Sequence, residues 1–375
     1  MHLQEILRYR PVPAAAVYFG LTRRCPLHCR HCSTESLMDS EQFPAKMFLR
    51  FAETFTRQNR PELTLMSGGE ALLRPGLVRD IADRARAVGS RSYVLSGLYF
   101  AQKPRIPKPV RAAIEAVDHF SASTDRFHEE EVPRAAVFRV LHELLDDGKD
   151  VSLQITGEGA DDPYLADITA AVRREFDDRV PMLVVPLSPV GRAREWMETS
   201  PQAAYPATAA PCSLACWPVI GFNGQVTSCG NQDVMDGKVP LPAHLFLGHI
   251  ARDDWDTIKR KALESPMVGA IRTYGPEYLA ERFGGQESCD GYCQTCWKLS
   301  TTPGVKEGVQ ALTLLPSTIA VRDAVEKVSV DAGPLGFARR FGVPGYADLI
   351  TLGDTPPQGE PGRRDASRQD LAWTG

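Results

Sequence analysis

Nine cysteines stand in this chain of 375 residues, in three groups of three: Cys25, Cys29 and Cys32; Cys212, Cys216 and Cys229; Cys289, Cys293 and Cys296. An odd number cannot all pair as disulfides, and such grouping points instead to metal or iron–sulfur ligation. The first group has the spacing Cys-x3-Cys-x2-Cys. Three thiolates on one short loop can hold three irons of a cubane cluster, leaving the fourth iron without a protein ligand and open to a small molecule. The competing assignment is a zinc ion completed by His28 or His31.

The surrounding pattern says what positions that loop. Short apolar runs at 15–21, 62–66, 91–95, 117–123, 151–155 and 180–186 read as strands. Helical spacing separates them: Phe48, Phe51, Ala52 and Phe55, then Val137, Val140, Leu141 and Leu144 with Gly148 as a stop. Asp162 and Pro163 read as an N-cap and first helical residue. Six strands alternating with helices imply a parallel sheet with right-handed crossovers, short of the eight of a closed barrel. The expected fold is therefore α/β, a partial (βα)6 TIM-like barrel over residues 1–195. The first cysteine loop follows the first strand, at the sheet edge where such folds place their chemistry.

Cys-x3-Cys-x2-Cys after the first strand resembles the signature of the radical S-adenosylmethionine (SAM) superfamily, and the likeness extends over roughly residues 14–195. Ser67-Gly68-Gly69-Glu70 follows the second strand, where the family has a Gly-Gly-Glu motif that holds the SAM amino group. His31 stands where the family places an aromatic residue near the adenine. Ser123 and Asp125, at the end of the fourth strand, match polar contacts to the ribose, and Gln154 ends the fifth strand in a looser family motif. The resemblance implies a [4Fe-4S] cluster on Cys25, Cys29 and Cys32, with SAM at the open iron. It further implies reductive cleavage of SAM to a 5′-deoxyadenosyl radical, hydrogen abstraction from substrate, and a low-potential electron donor such as flavodoxin or ferredoxin. His128 is a candidate acid/base group or substrate contact. Arg192, in Pro189-Val-Gly-Arg192 after the sixth strand, is a candidate partner for the SAM carboxylate or a substrate anion.

Downstream, residues 217–222 and 225–229 flank Asn223-Gly224, a hairpin signal. Cys212-x11-Gly224-x4-Cys229 resembles the opening of the SPASM and twitch domains appended to radical SAM enzymes. This implies a smaller C-terminal iron–sulfur domain containing a β-hairpin over residues 196–300. Six thiolates fall short of the eight that two four-iron clusters need, so one auxiliary [4Fe-4S] cluster is expected. Its ligands are expected to be Cys212, Cys229, Cys293 and Cys296, with Cys216 or Cys289 as substitutes and a structural zinc as the alternative. Helices are expected at 255–263, 276–282 and 317–328, a helical extension at 301–352, and a disordered tail at 353–375.

The net charge of −4 argues against a dedicated nucleic-acid or anionic-membrane surface. No apolar run approaches a bilayer span and no secretory signal opens the chain, so a cytoplasmic enzyme with no nucleic-acid or membrane partner is expected. Two substrate classes follow from the resemblance: a precursor peptide in natural-product maturation, or a sugar, aminocyclitol or nucleoside in secondary metabolism. Only 24 residues precede Cys25, too few for a peptide-recognition domain. A non-catalytic iron–sulfur or zinc protein is the third reading, and the Gly-Gly-Glu motif argues against it.

Overall fold

The computed structural model describes residues 1–197, 210–285 and 291–354. Cys289 and residues 355–375 of the tail expected at 353–375 lie outside the described residues.

Six strands form in the expected places: β1 (Ala16–Gly20), β2 (Leu63–Ser67), β3 (Arg91–Ser96), β4 (His119–Thr124), β5 (Val151–Gly157) and β6 (Met182–Pro186). They pair in sequence order, all parallel. A parallel sheet is covered on both faces, which is why these strands read as continuous apolar runs rather than alternating ones; β2 is buried at all five residues. The crossover helices seal the outer face. Phe48 and Phe51 come from Ala45–Ala52, and Val137, Val140, Leu141 and Leu144 from Arg134–Asp146, all buried in one core. Asp162 caps Pro163–Phe176 by accepting from the Tyr164 N–H, and Gly148 supplies the positive φ, +76°, that ends Arg134–Asp146.

The sheet does not close. On its β1 side it continues through three short strands, β7 (Val219–Ile220), β8 (Gln225–Thr227) and β9 (Phe246–His249). β7 runs parallel to β1, with Tyr18 opposite Val219, and then turns antiparallel into β8 at Asn223-Gly224. Gly224 has φ +87°, and a Cβ there would lie 2.8 Å from the Met47 sulfur, so turn and close approach both require glycine. The hairpin that carries Cys229 thus extends the barrel sheet itself. On the other side the C-terminal residues fold back: Val343 N–H donates to the Val184 carbonyl beyond β6 (3.0 Å). The N-terminal helix Leu3–Arg8 packs its Leu3 and Leu7 against Ala338, Ala347 and Ile350, and its Ile6 against Ala16, Leu63, Leu65 and Tyr93. The gap left by the open sheet is therefore filled from both ends of the chain. No described helix is long and apolar enough to cross a membrane.

Candidate functional site

Parallel pairing in register brings the carboxyl ends of β1 to β6 to one edge: Gly20 lies opposite Ser67, and Ser123 opposite Gln154. The cysteine loop leaves β1 at that edge. Cys25 and Cys29 are buried and Cys32 is partly exposed. The loop is tied to itself by Cys32 N–H to the Cys29 carbonyl (3.1 Å) and Cys25 N–H to the Leu37 carbonyl (3.2 Å). Thr34, which no motif marks, places its hydroxyl 3.3 Å from the Cys32 sulfur. Burial pushes the Cys25 thiol up to about 12, aided by Glu70 and the two neighbouring cysteines. A thiol so placed stays neutral unless a cation shares its charge. His28 does not complete a zinc site here: its side chain is mostly exposed and faces Glu131.

The Gly-Gly-Glu turn after β2 presses on this loop. Gly69 N–H donates to the Thr22 carbonyl (2.7 Å) and Glu70 N–H to the Arg24 carbonyl (2.8 Å). A Cβ on Gly69 would lie 2.5 Å from the Arg24 oxygen. One on Gly68, whose φ is +140°, would lie 2.3 Å from the Thr22 oxygen. The glycines are therefore required by the approach of the cysteine loop as well as by any ligand on their other side. Glu70 is buried, and its carboxylate accepts from Leu72 N–H (2.9 Å), Ser96 hydroxyl (3.0 Å) and Gly97 N–H (2.9 Å). Burial still pushes it up to about 7. Its side chain pins the turn to the end of β3, and the two glycines, not Glu70, line the cavity described next.

Beyond β4, Asp125 is buried and caps the short helix Arg126–Glu129 by accepting from Phe127 and His128 N–H. His128 Nδ1 lies 2.7 Å and His31 Nε2 3.1 Å from its other oxygen. Burial favours the neutral carboxyl, but the two histidines outweigh it and hold Asp125 well below the usual carboxylate range. His128 is pulled down by burial, yet Asp125 and a hydrogen bond to Cys29 hold it well above its ordinary value. His31 stacks on Phe127, with centroids 4.8 Å apart. Arg192, in the 3-10 turn Gly191–Glu195, donates from Nε to the Cys29 carbonyl (3.0 Å) and from Nη1 to the Ser36 carbonyl (3.1 Å). Its Nη2 is buried without a partner among the described residues. Arg192 therefore braces the cysteine loop, with one N–H group left over.

One cavity of about 640 Å³ joins these groups: Cys25, Cys29, Cys32, His31, Ser67, Gly68, Gly69, Ser123, Asp125, His128, Gln154 and Arg192 all line it. A neighbouring cavity of about 610 Å³ runs under β1 and β7 to Cys212, Cys229 and Cys293. Tyr18, Gly68, Gly69 and Trp217 are common to both linings.

Around the second cavity Cys229, Cys293 and Cys296 each lie close enough to Cys212 to feel it. Burial is the main cause of the raised values of Cys229, Cys293 and Cys296, pushing Cys229 up to about 12. Asn231 caps Gln232–Met235 by accepting from Asp233 and Val234 N–H, and lines the same cavity as Cys293. Cys216 faces elsewhere: it is buried among Ala16, Leu63 and Trp217, and its thiol donates to the Pro11 carbonyl (3.5 Å). Among the described residues, no three cysteines bring their sulfurs within 4.8 Å of one another. Zn–S bonds of about 2.3 Å in a tetrahedron would put thiolates about 3.8 Å apart.

No family model matches the chain. Over 83 residues it is 41% identical to pre-heme d1 synthase of Dinoroseobacter shibae, and it spans about a fifth of the length of that curated relative: 21% of this chain against 20% of the other. Among solved structures, Streptococcus suis SuiB bound to S-adenosylmethionine superposes with a TM-score of 0.52 at 13% identity, covering 80% of this chain and 78% of that one. A further SuiB structure gives 0.50 at 12%, covering 72% and 71%. At these identities the likeness is one of fold.

Proposed function

We propose that the chain is a radical SAM oxidoreductase with one auxiliary [4Fe-4S] cluster, acting on a precursor peptide in natural-product maturation. The observation that carries the reading is the single cavity at the carboxyl edge of an open parallel barrel. Into it converge three cysteines on one loop and, Glu70 excepted, the residues that the motif resemblance assigns to SAM.

Cys25, Cys29 and Cys32 would hold the SAM-binding cluster, and Cys212, Cys229, Cys293 and Cys296 the auxiliary one. When bound, cluster and SAM supply reductive cleavage of the sulfonium and abstraction of a substrate hydrogen. The chain's own contribution is placement and shielding. Arg192 and the Gly68-Gly69 turn fix the cysteine loop from opposite sides. The loop's burial excludes water from two of the three sulfurs. His128, whose Nδ1 lies 2.7 Å from Asp125, lines the cavity beside the cysteine loop and is held above its ordinary value chiefly by that carboxylate. Ser123 and Gln154 present polar groups from adjacent strands on the far side of the cavity.

A test that does not depend on the substrate is the electron paramagnetic resonance spectrum of the anaerobically reconstituted, reduced protein. SAM should perturb one four-iron signal and leave a second unchanged. A single zinc-containing species, or no response to SAM, would overturn the reading. With the fold accepted, deuterium transferred to 5′-deoxyadenosine from a labelled peptide, and not from a labelled aminocyclitol or sugar, would fix the substrate class.

A further inference from the structure

Arg10 follows the N-terminal helix Leu3–Arg8, in a turn stitched to the start of β7. Trp217 donates from its indole N–H to the Tyr9 carbonyl (2.9 Å), Cys216 from its thiol to the Pro11 carbonyl, and Ala14 from its backbone to the Cys216 carbonyl (2.8 Å). This aims the Arg10 guanidinium over the Trp217 ring, 4.2 Å from its centroid, with Phe337 at 5.2 Å. Among the described residues the guanidinium makes no hydrogen bond and no ion pair. That sets it apart from its neighbours: Arg23 meets Glu41, Arg192 two carbonyls, and Arg340 the Pro211 carbonyl.

The surroundings offer it no carboxylate. Asp236, in the lining of one cavity, faces Arg23 at 3.9 Å, and Asp125, in the lining of the other, is taken by His31 and His128. Burial lowers the Arg10 pKa, opposed by the nearby Cys216 first and then by Cys212 and Cys229. A half-buried guanidinium that lines two cavities with its donors unspent can take up an anion there. Stacked on an indole it is also held flat, with its planar fork ready for a bidentate anion.

We propose that Arg10 is an anion receptor, forming a subsite for a carboxylate or phosphate group where the two cavities meet. Arg10 lines both, together with Gly68 and Gly69. An anionic group docked there directs the rest of its molecule toward the Cys25–Cys29–Cys32 loop on one side and the second cysteine set on the other. That the anion belongs to the substrate rests on the radical SAM reading; that an anion binds does not.

The test is equilibrium dialysis of the full, iron-loaded chain against labelled benzoate and labelled inorganic phosphate, in separate arms that tell a carboxylate site from a phosphate site. One probe should saturate one site per chain. Its Kd should rise at least tenfold in Arg10→Gln and recover in part in Arg10→Lys. The Arg10→Gln protein should melt at or above the wild-type temperature, because an unpaired charge has been removed, and should bind SAM as the wild type does. Saturation by neither probe, or equal binding by Arg10→Gln, overturns the subsite. A tenfold loss of SAM affinity would make SAM's own carboxylate the anion and overturn it likewise. Loss of iron from the second set together with a lower melting point would make Arg10 a counter-ion of those cysteines, with the same consequence. Intact probe binding in a protein that never cleaves SAM would sink the radical reading alone, and the reverse result would sink the subsite alone.

Discussion

Replacing Gly69 with alanine should undock the cysteine loop without unfolding the barrel. The added Cβ would sit 2.5 and 2.6 Å from the carbonyl oxygens of Arg24 and Arg23, distances at which backbone must move. Forced overpacking of this kind costs about 1–3 kcal/mol. The shift also strains two backbone hydrogen bonds, Gly69 to Thr22 and Glu70 to Arg24, each contributing about 1 kcal/mol. A total of about 3 kcal/mol lowers the docked population of the loop about a hundredfold. Gly68→Ala adds the strain of a side chain at φ +140° and should be worse. Gly76→Ala is the control: nothing lies within 4 Å of its Cβ, and alanine in that helix should stabilise by about 0.5–1 kcal/mol. The assay is iron retained after anaerobic reconstitution and gel filtration, alongside far-UV circular dichroism. Gly69→Ala should keep its helical signal, lose iron from the first site, and bind SAM far more weakly. If it holds wild-type iron and loses only SAM, the glycine serves the ligand and the loop-docking argument is wrong.

Three further outcomes follow from the same geometry. Cys229→Ser should lower reconstituted iron from about eight per chain toward about four, whereas Cys216→Ser should leave it unchanged; equal losses would put Cys216 among the ligands. Burial raises the Glu70 pKa from 4.5 to about 7, so the folded state holds this proton more tightly than the unfolded chain. Its stabilising contribution is complete below pH 4.5 and lost as pH rises through 7, by about 3 kcal/mol in all. Denaturant midpoints should therefore fall between pH 5 and 8 more steeply in the wild type than in Glu70→Gln, and identical slopes would refute the assignment. Arg192→Lys removes the fork that spans the Cys29 and Ser36 carbonyls, bonds worth about 1.5–3 kcal/mol each from a charged donor. Chelator-driven iron loss from the first site should accelerate at least tenfold, and an unchanged rate would show that Arg192 does not brace the loop.

The barrel strands were legible because residues buried on both faces of a parallel sheet leave unbroken apolar runs, as β2 does. The hairpin was legible because Asn223-Gly224 satisfies a local turn geometry. What escaped the sequence depends on distant partners. Leu3 and Leu7 meet Ala338 and Ile350 only once both chain ends fold across the open sheet, and neither segment carries a long enough periodic pattern to announce that. The helix Tyr292–Lys298 gave no helical signal in the sequence because Cys293 and Cys296 leave it no apolar stripe. At the site, spacing marked Cys25, Cys29 and Cys32, and the family resemblance pointed to Asp125 and Gln154; all five line one cavity, but nothing in the sequence named their partners. Glu70 was expected at the ligand, and the structure buries it against Ser96 and Gly97. Arg192, expected at an anion, spends two of its nitrogens on the cysteine loop. Arg10, whose donors are free, lies between Tyr9 and Pro11 with nothing in the local sequence to mark it.

The central claim is that the Cys25–Cys29–Cys32 loop and the cavity beside it cleave SAM reductively. The most direct measurement is 5′-deoxyadenosine released by the anaerobically reconstituted protein with dithionite and SAM, compared with a Cys25→Ala, Cys29→Ala, Cys32→Ala variant that still carries its second iron site. The account predicts steady formation by the wild type and none by the variant. Formation by both, or by neither when the wild type holds its full iron, would contradict it.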